Sequence, residues 1–266
     1  MSVTSTATSR RTIQLPIDDG VVGLRGLSPQ RHRFELEYAL ERGSTANSVL
    51  FEAGDGAPAV LVHPPGVAYS AAFLPVLAEA LPSSDAPLLV VVGHVNPNRV
   101  ALLRDLAEAY AGLELIVSNP GAKLIEELWS QRKPAPPGET SEQPPLPDLP
   151  PLRVIRQEQT LSLSHQRSLM LLPAPTPRWP GGLLAFEESL GLLMSDKFFS
   201  AHVCTDSWAE SNRSSTEEER RHFYDCLMAP MARQVDALVE RLEELNIRTI
   251  APGHGPAIEA SWPTPI

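Results

Sequence analysis

Cysteine is scarce. The 266 residues include two, Cys204 and Cys226. They form no CxxC pair, so neither a thiolate metal cluster nor a dithiol redox motif is available, and the shortage points to a reducing compartment, the cytoplasm. No run of about 18 apolar residues occurs, which leaves no membrane span to expect. The start of the chain, Met1 to Arg11, has no apolar stretch that could act as a secretory signal. It is rich in Ser and Thr and is expected to be disordered. Basic residues are outnumbered: 22 Lys and Arg against 32 Asp and Glu give a formal charge of -10. That balance argues against a nucleic-acid or anionic-membrane surface. No GxSxG turn, no phosphate-binding P-loop and no GxGxxG after a strand is present.

What the chain does have is alternation of apolar runs and helical periods, in a soluble composition with 42% hydrophobic residues. Thr12–Pro16 and Val21–Arg25 read as strands joined by the Asp18-Asp19-Gly20 turn, and Asn47–Glu52 and Ala59–His63 as a second pair across Gly54-Asp55-Gly56. Helices are expected over Ala71–Ala80, from Arg99 to about Tyr110, and over Ala122–Trp129. Strands are expected at Leu88–Val92 and Leu113–Val117. Residues 133–151 hold eight prolines. Proline fixes φ and removes a donor, so this segment reads as a loop inserted in the domain, with an interdomain linker as the alternative. Beyond it, Leu152–Gln157, Ser168–Pro173, Gly182–Glu187 and Gly191–Met194 read as strands of a second sheet. A helix opens near Thr216 with three acids in its first turn. Another spans Met231–Leu245 with Val235, Leu238, Val239, Leu242 and Leu245 on one face. Ile247–Ala251 is a last strand.

Four loops follow strands and carry polar groups. They are His94-x-Asn96-x-Asn98-Arg99; Ala174 to Pro180 with Arg178 and Trp179; Ser195-Asp196-Lys197 onward to His202; and Gly253-His254-Gly255. Convergence at one sheet edge would make a single pocket. Taken singly, His94, His202 and His254 are each readable as a hydrogen-bonded structural residue or as a ligand, and Asp196 as a turn cap. His32, His63, His165 and His222 have nothing specific around them.

Together these loops resemble those of the flavodiiron proteins (A-type diflavin flavoproteins), in the branch of oxygenic phototrophs. Arg31 to Glu37 is similar to that family's RDRFD segment, and Gly43 to Ser48 to its GTTYNS. Tyr224 to Arg233 resembles its YDCLMGPNAR and Thr249 to Pro256 its TIATGHGP. The resemblance implies an α/β fold, the metallo-β-lactamase-like αβ/βα four-layer sandwich, over residues 1–266. It implies that flavodoxin and flavin reductase domains, which follow in the family, lie outside this chain. It implies an oxidoreductase that passes electrons from NAD(P)H or ferredoxin through FMN to dioxygen, giving water. A head-to-tail homodimer or heterodimer with a paralogue is implied as well, the flavin of one subunit facing the metal site of the other.

The family's diiron ligands are H-x-E-x-D-H, a His in an APNLHWPD loop, a bridging Asp, and the His of GHGP. Here His94 matches the first His. Asn96 stands at the Glu, Asn98 at the Asp, Arg99 at the second His and Arg178 at the third-segment His. Asp196 matches the bridging Asp and His254 the last His, so His94, Asp196 and His254 are the residual ligand candidates. Neutral amides are poor iron ligands, and a guanidinium has no lone pair to give. At about 4 Å and an effective dielectric of about 20, each pair of unit charges is worth about 4 kcal/mol, so two arginines would repel a divalent ion strongly. The expectation is a pocket without iron, in which Arg99 or Arg178 pairs with Asp196 and which would suit an anion. Such a subunit would act beside a paralogue that keeps its ligands. The alternatives are a non-catalytic scaffold or regulatory subunit and, less consistent with the missing HxHxDH string, a zinc hydrolase.

Overall fold

The computed structural model describes residues 10–30, 32–34, 38–81, 83–131, 145–210 and 216–259, with side chains omitted for 32–34, 38 and 39. The chain opens with β1 (Arg11–Asp18) and β2 (Val21–Ser28), a backbone hairpin β3 (His32–Phe34) and β4 (Tyr38–Leu40), then β5 (Ser44–Phe51) and β6 (Ala59–Val62). Next come α1 (Ser70–Ala80), β7 (Leu88–Val91), α2 (Pro97–Ala109), β8 (Leu113–Ser118), α3 (Asn119–Trp129) and β9 (Leu152–Ile155). The second half runs β10 (Gln159–Ser162), β11 (Ser168–Pro173), β12 (Leu183–Glu187), β13 (Leu192–Asp196), α4 (Glu217–Phe223), α5 (Ala232–Glu243), β14 (Thr249–Pro252) and β15 (Ile258–Glu259).

Seven strands form one sheet in the order β1-β2-β5-β6-β7-β8-β9, and six form the other, β10-β11-β12-β13-β14-β15. Within the first sheet β6 to β9 run parallel. Continuous apolar runs suit them, since both faces are covered. One face packs on α1, α2 and α3 through Leu61, Val90, Phe73, Leu103 and Ile125. The other meets the second sheet in a shared core of Val60, Val62, Val91, Leu171, Ala185 and Met194. The second sheet's outer face packs on α4 and α5 through Phe186, Leu193, Phe223, Leu238 and Leu242. These three cores make the four-layer αβ/βα sandwich.

Several expectations need correction. Arg11 pairs with Leu27 in β1, so disorder does not reach it; residues 1–9 lie outside the described residues. β9 is not in the second sheet. It lies parallel to β8 as the end of a β8-α3-β9 crossover, and an apolar run by itself does not say which sheet receives it. β10 was not foreseen: its Gln-Thr-Leu-Ser is largely exposed at the sheet edge and carries no hydrophobic alternation. The helix after β7 starts at Pro97, two residues early, because proline fits a first helical turn. Of the Pro-rich stretch, 133–144 lie outside the described residues. Residues 145–151 have no regular structure and return to the domain, with Trp129 Nε1 donating to Pro147 O at 2.9 Å and Leu115 N to Pro151 O at 2.9 Å.

Leu171 is 1% exposed between the two sheets. Leu171→Ala should destabilise the fold by about 2–5 kcal/mol, measured by denaturant titration, because little around it can collapse into the gap. A loss within a few tenths would mean that the sheets do not share this core.

Candidate functional site

The site lies where parallel strands of both sheets end. Leaving β7, the chain passes through Gly93 to His94. A Cβ on Gly93 would stand 2.7 Å from Asp196 Cγ and 2.7 Å from His63 Cδ2, so only glycine lets the sheets close here. Asp196 ends β13 at a register shift against β14 and holds a left-handed φ of 49°. Gly253 N donates to its carbonyl at 2.5 Å. The loop after β14 then presents His254.

His94, Arg99, Asp196 and Lys197 are 2%, 7%, 4% and 7% exposed, so their charges meet in a shielded space. His94 Nδ1–H donates to Asp196 Oδ2 at 2.7 Å. Arg99 Nη2 lies 3.7 Å from Asp196 Oδ1. Asn96 caps α2, its Oδ1 accepting from Arg99 N at 2.8 Å. Its Nδ2 faces His94 Nε2 at 3.3 Å, so both ends of the amide are in use. Across the site, His254 Nδ1–H donates to Thr45 O at 2.6 Å, and the Lys197 ammonium donates to His254 Nε2 at 3.0 Å. His202 stacks on His254 with ring centroids 4.5 Å apart, its Nδ1 2.7 Å from Ser44 Oγ.

Burial pushes His94 down to about 3, helped by Arg99 and Lys197 and opposed by Asp196. Burial and then Lys197 push His202 to about 3. Burial, Lys197 and His202 hold His254 well below the ordinary imidazole range. For Asp196, burial favours the protonated form, but His94 and Arg99 outweigh it and hold the carboxyl well below its usual value. At neutral pH the pocket therefore contains neutral imidazoles, one carboxylate, one guanidinium and one ammonium.

The turn of His254 is fixed from behind. Asn47 Nδ2 donates to Pro252 O and Gly255 O, both at 2.7 Å, and Gly255 N donates to Thr45 Oγ1 at 2.7 Å. Arg25, 1% exposed, holds Asn47 Oδ1 at 2.8 Å and Trp208 O at 3.1 Å. Burial lowers its guanidinium to about 10.

The four loops thus do converge, with two exceptions among the positions singled out from sequence. Asn98 is exposed. Arg178 is exposed too and lies over the Trp179 ring at 5.7 Å. Its turn explains this: Thr176 N donates to Trp179 O at 3.1 Å and Trp179 N to Thr176 Oγ1 at 3.0 Å. That bonding buries Thr176 and Trp179 and turns Pro177 and Arg178 outward. Arg178 therefore does not pair with Asp196; Arg99 does, and the second buried cation is Lys197. Sequence reasoning passed over Lys197, although it directly follows Asp196 at a strand end. His63 was passed over as well; it is buried at a left-handed φ of 56°, with Nε2–H donating to Leu183 O at 2.9 Å. Among the described residues no three His, Cys, Asp or Glu side chains are grouped so as to hold a metal ion.

The fold recurs in known proteins. A crystal structure of diflavin flavoprotein A 5 (fragment 1-254) from Nostoc sp. PCC 7120 is 32% identical, with a TM-score of 0.81 over 95% of this chain and 92% of that one. The chain belongs to the flavodiiron family. The metal-soaked Flv1 flavodiiron core from Synechocystis sp. PCC6803 matches at 33% identity and a TM-score of 0.81, over 94% of this chain and 58% of that one. Diflavin flavoprotein A 6 of Nostoc sp. is 36% identical over 252 residues, which are 94% of this chain and 41% of that protein. This flavodiiron chain therefore spans about two fifths of the length of the curated relatives it matches. No family model matches it. Among the described residues, no helix is long and apolar enough to cross a membrane.

The histidines of this flavodiiron domain give it a definite pH dependence. An unfolded chain takes up protons as pH falls through the ordinary value of 6.5, whereas folded His94 and His202 resist until about 3. The unfolded state then binds more protons, so stability falls with acidification across that window, by about 1.4 kcal/mol per pH unit for each histidine. Asp196 adds a loss of the same sign below 3.8. Denaturant unfolding between neutral pH and about pH 4 should show the slope, and His202→Gln should remove one histidine's share. A flat profile would mean that these rings are charged in the fold.

Proposed function

We propose that this chain is the metallo-β-lactamase-like part of a flavodiiron oxygen reductase subunit whose own pocket works without iron. The observation that carries this is Lys197 Nζ at 3.0 Å from His254 Nε2, together with Arg99 at Asp196. In a histidine metal site, one ring nitrogen is fixed by a carbonyl and the other faces the ion. His254 has that first half, through Thr45 O, but an ammonium faces its other nitrogen. Arg99 takes the carboxylate of Asp196, and Asn96 spends its amide on a helix cap and on His94. The donor set does not fit a diiron centre: it offers one carboxylate and faces any added cation with two positive side chains. The same fit argues against a zinc hydrolase.

In this reading, electrons from NAD(P)H or ferredoxin pass through FMN, carried by a domain outside this chain, to dioxygen in an assembly with a paralogue that keeps its ligands. The chain's own residues, Arg99 on Asp196 and Lys197 on His254, stand in place of the ions. The cofactor-free pocket is equally the kind a scaffold or regulatory subunit would carry.

Metal analysis of the purified chain, reconstituted anaerobically with ferrous iron and then desalted, should find far less than one iron per chain. Oxygen uptake by the full-length protein alone should be near background and should rise on mixing with a ligand-complete paralogue. Stoichiometric iron would overturn the reading. Uptake identical with and without this subunit in the mixture would favour the scaffold.

A further inference from the structure

We propose that a cavity at the other end of the parallel strands, away from the His94–His254 pocket, binds an aliphatic diamine or polyamine in its ammonium form. The cavity measures about 550 Å³, within the range of about 300–1,000 Å³ usual for small-molecule sites. It opens where β6 and β7 begin, at Ala59 and Leu88, and its wall includes Glu52, Glu79, Leu81 and Tyr110. Two helices end on it: Leu81 is the C-cap of α1 and Tyr110 that of α2. A helix C-terminus carries unsatisfied carbonyls and roughly half a negative charge, which a Lys or Arg in the last turn commonly offsets. Neither last turn has one. Each holds a glutamate instead, Glu79 in α1 and Glu108 in α2, which is the unfavourable sign. Glu52, just past β5, adds another carboxylate, and among the described residues no Lys or Arg lines the cavity. The same local rule is broken in two neighbouring helices, the pattern expected where a ligand supplies the missing charge.

Tyr110 points to an occupant independently. It is 4% exposed and lines the cavity, yet its hydroxyl has no hydrogen-bond partner among the described residues. Burial alone acts on the phenol, pushing its pKa up, with no neighbouring charge or hydrogen bond. A polar group so placed is rare in a folded chain without a partner. The class of ligand follows from the acceptors. Carboxylates and helix-end carbonyls only accept hydrogen bonds, and a phenol oxygen can accept one. An ammonium group only donates, and it is also attracted to the face of an aromatic ring. The negative groups come from separate elements, the end of β5, α1 and α2. Among the described residues no three acids, histidines or cysteines gather to coordinate a metal ion. Ammonium groups joined by methylenes match charge spread in this way, and the methylenes suit the apolar wall of Ala59, Leu81 and Leu88.

The test is isothermal titration calorimetry of the purified chain at fixed ionic strength, with putrescine and spermidine as probes and butylamine as the single-ammonium control. Putrescine and spermidine should each give a saturable heat at one molecule per chain. Butylamine should bind about fivefold or more weakly than putrescine, having lost one exposed ion pair. Replacing sodium by magnesium at the same ionic strength should leave spermidine bound, since a diffuse counterion effect would be erased. Glu52 and Glu79 are exposed, so the fold tolerates their neutralisation. Glu52→Gln and Glu79→Gln should each weaken spermidine by about two- to fivefold, the worth of an exposed ion pair. Tyr110→Phe, which keeps the ring and removes the acceptor, should also weaken it. The comparisons among amines and salts need no variant, so they stand even if Tyr110→Phe fails to fold. The absence of a saturable heat, butylamine binding as tightly as putrescine, loss of the heat in magnesium, or unchanged spermidine affinity in the Glu52→Gln, Glu79→Gln double variant would overturn the proposal.

Discussion

The structure depends on where one buried negative charge goes. Asp196 ends β13 in a left-handed conformation, four per cent exposed, between the two sheets. Taking a carboxylate out of water is costly unless it is paired and hydrogen bonded. Here the partners come from the other sheet: His94 from the end of β7, and Arg99 from the first turn of α2. The charge therefore ties the first sheet to the second at the one edge where both have parallel strands ending. Gly93 makes the approach possible, since any side chain there would strike Asp196 and His63.

That pairing decides the chemistry. Asp196 keeps one histidine, His94, as its partner, and the further contacts at the site are made by cations, Arg99 at Asp196 and Lys197 at His254. Arg99 is covalently fixed at the helix start and cannot leave or lose its charge at ordinary pH. Lys197 sits next to Asp196 in sequence and reaches across to His254. Each neutral imidazole keeps Nδ1 as its donor, to Asp196 in one case and to Thr45 O in the other. In the proposed reading, the histidine orientations that would suit metal binding are retained while the electrostatics are reversed.

Much of this was legible in the chain itself. The parallel strands β6, β7 and β8 announce themselves as short apolar runs, and α5 by its 3.6-residue period. Family-like segments at Gly43–Ser48, Tyr224–Arg233 and Thr249–Pro256 pointed to the sandwich and to the loops. The misses have physical causes. β9 looks like any other apolar run, and only the crossover through α3 assigns it to the first sheet. β10 is polar at an edge. Arg178 was expected in the pocket because its position aligns with a ligand, but the Thr176–Trp179 hydrogen bonds turn it outward, and spacing does not reveal such a turn. Lys197 was overlooked because a lysine is normally solvated. Its burial follows from the indole of Trp179, 5.9 Å away, and from the acceptor nitrogen of His254.

The central claim, that fixed cations stand where metal ions would otherwise be held, is tested most directly by diffraction at the zinc edge from crystals of this chain soaked in zinc at neutral pH. The account predicts no anomalous peak among His94, Asp196 and His254, with Lys197 still on His254. A strong peak bonded to two of those three residues, with Lys197 or Arg99 displaced, would contradict it.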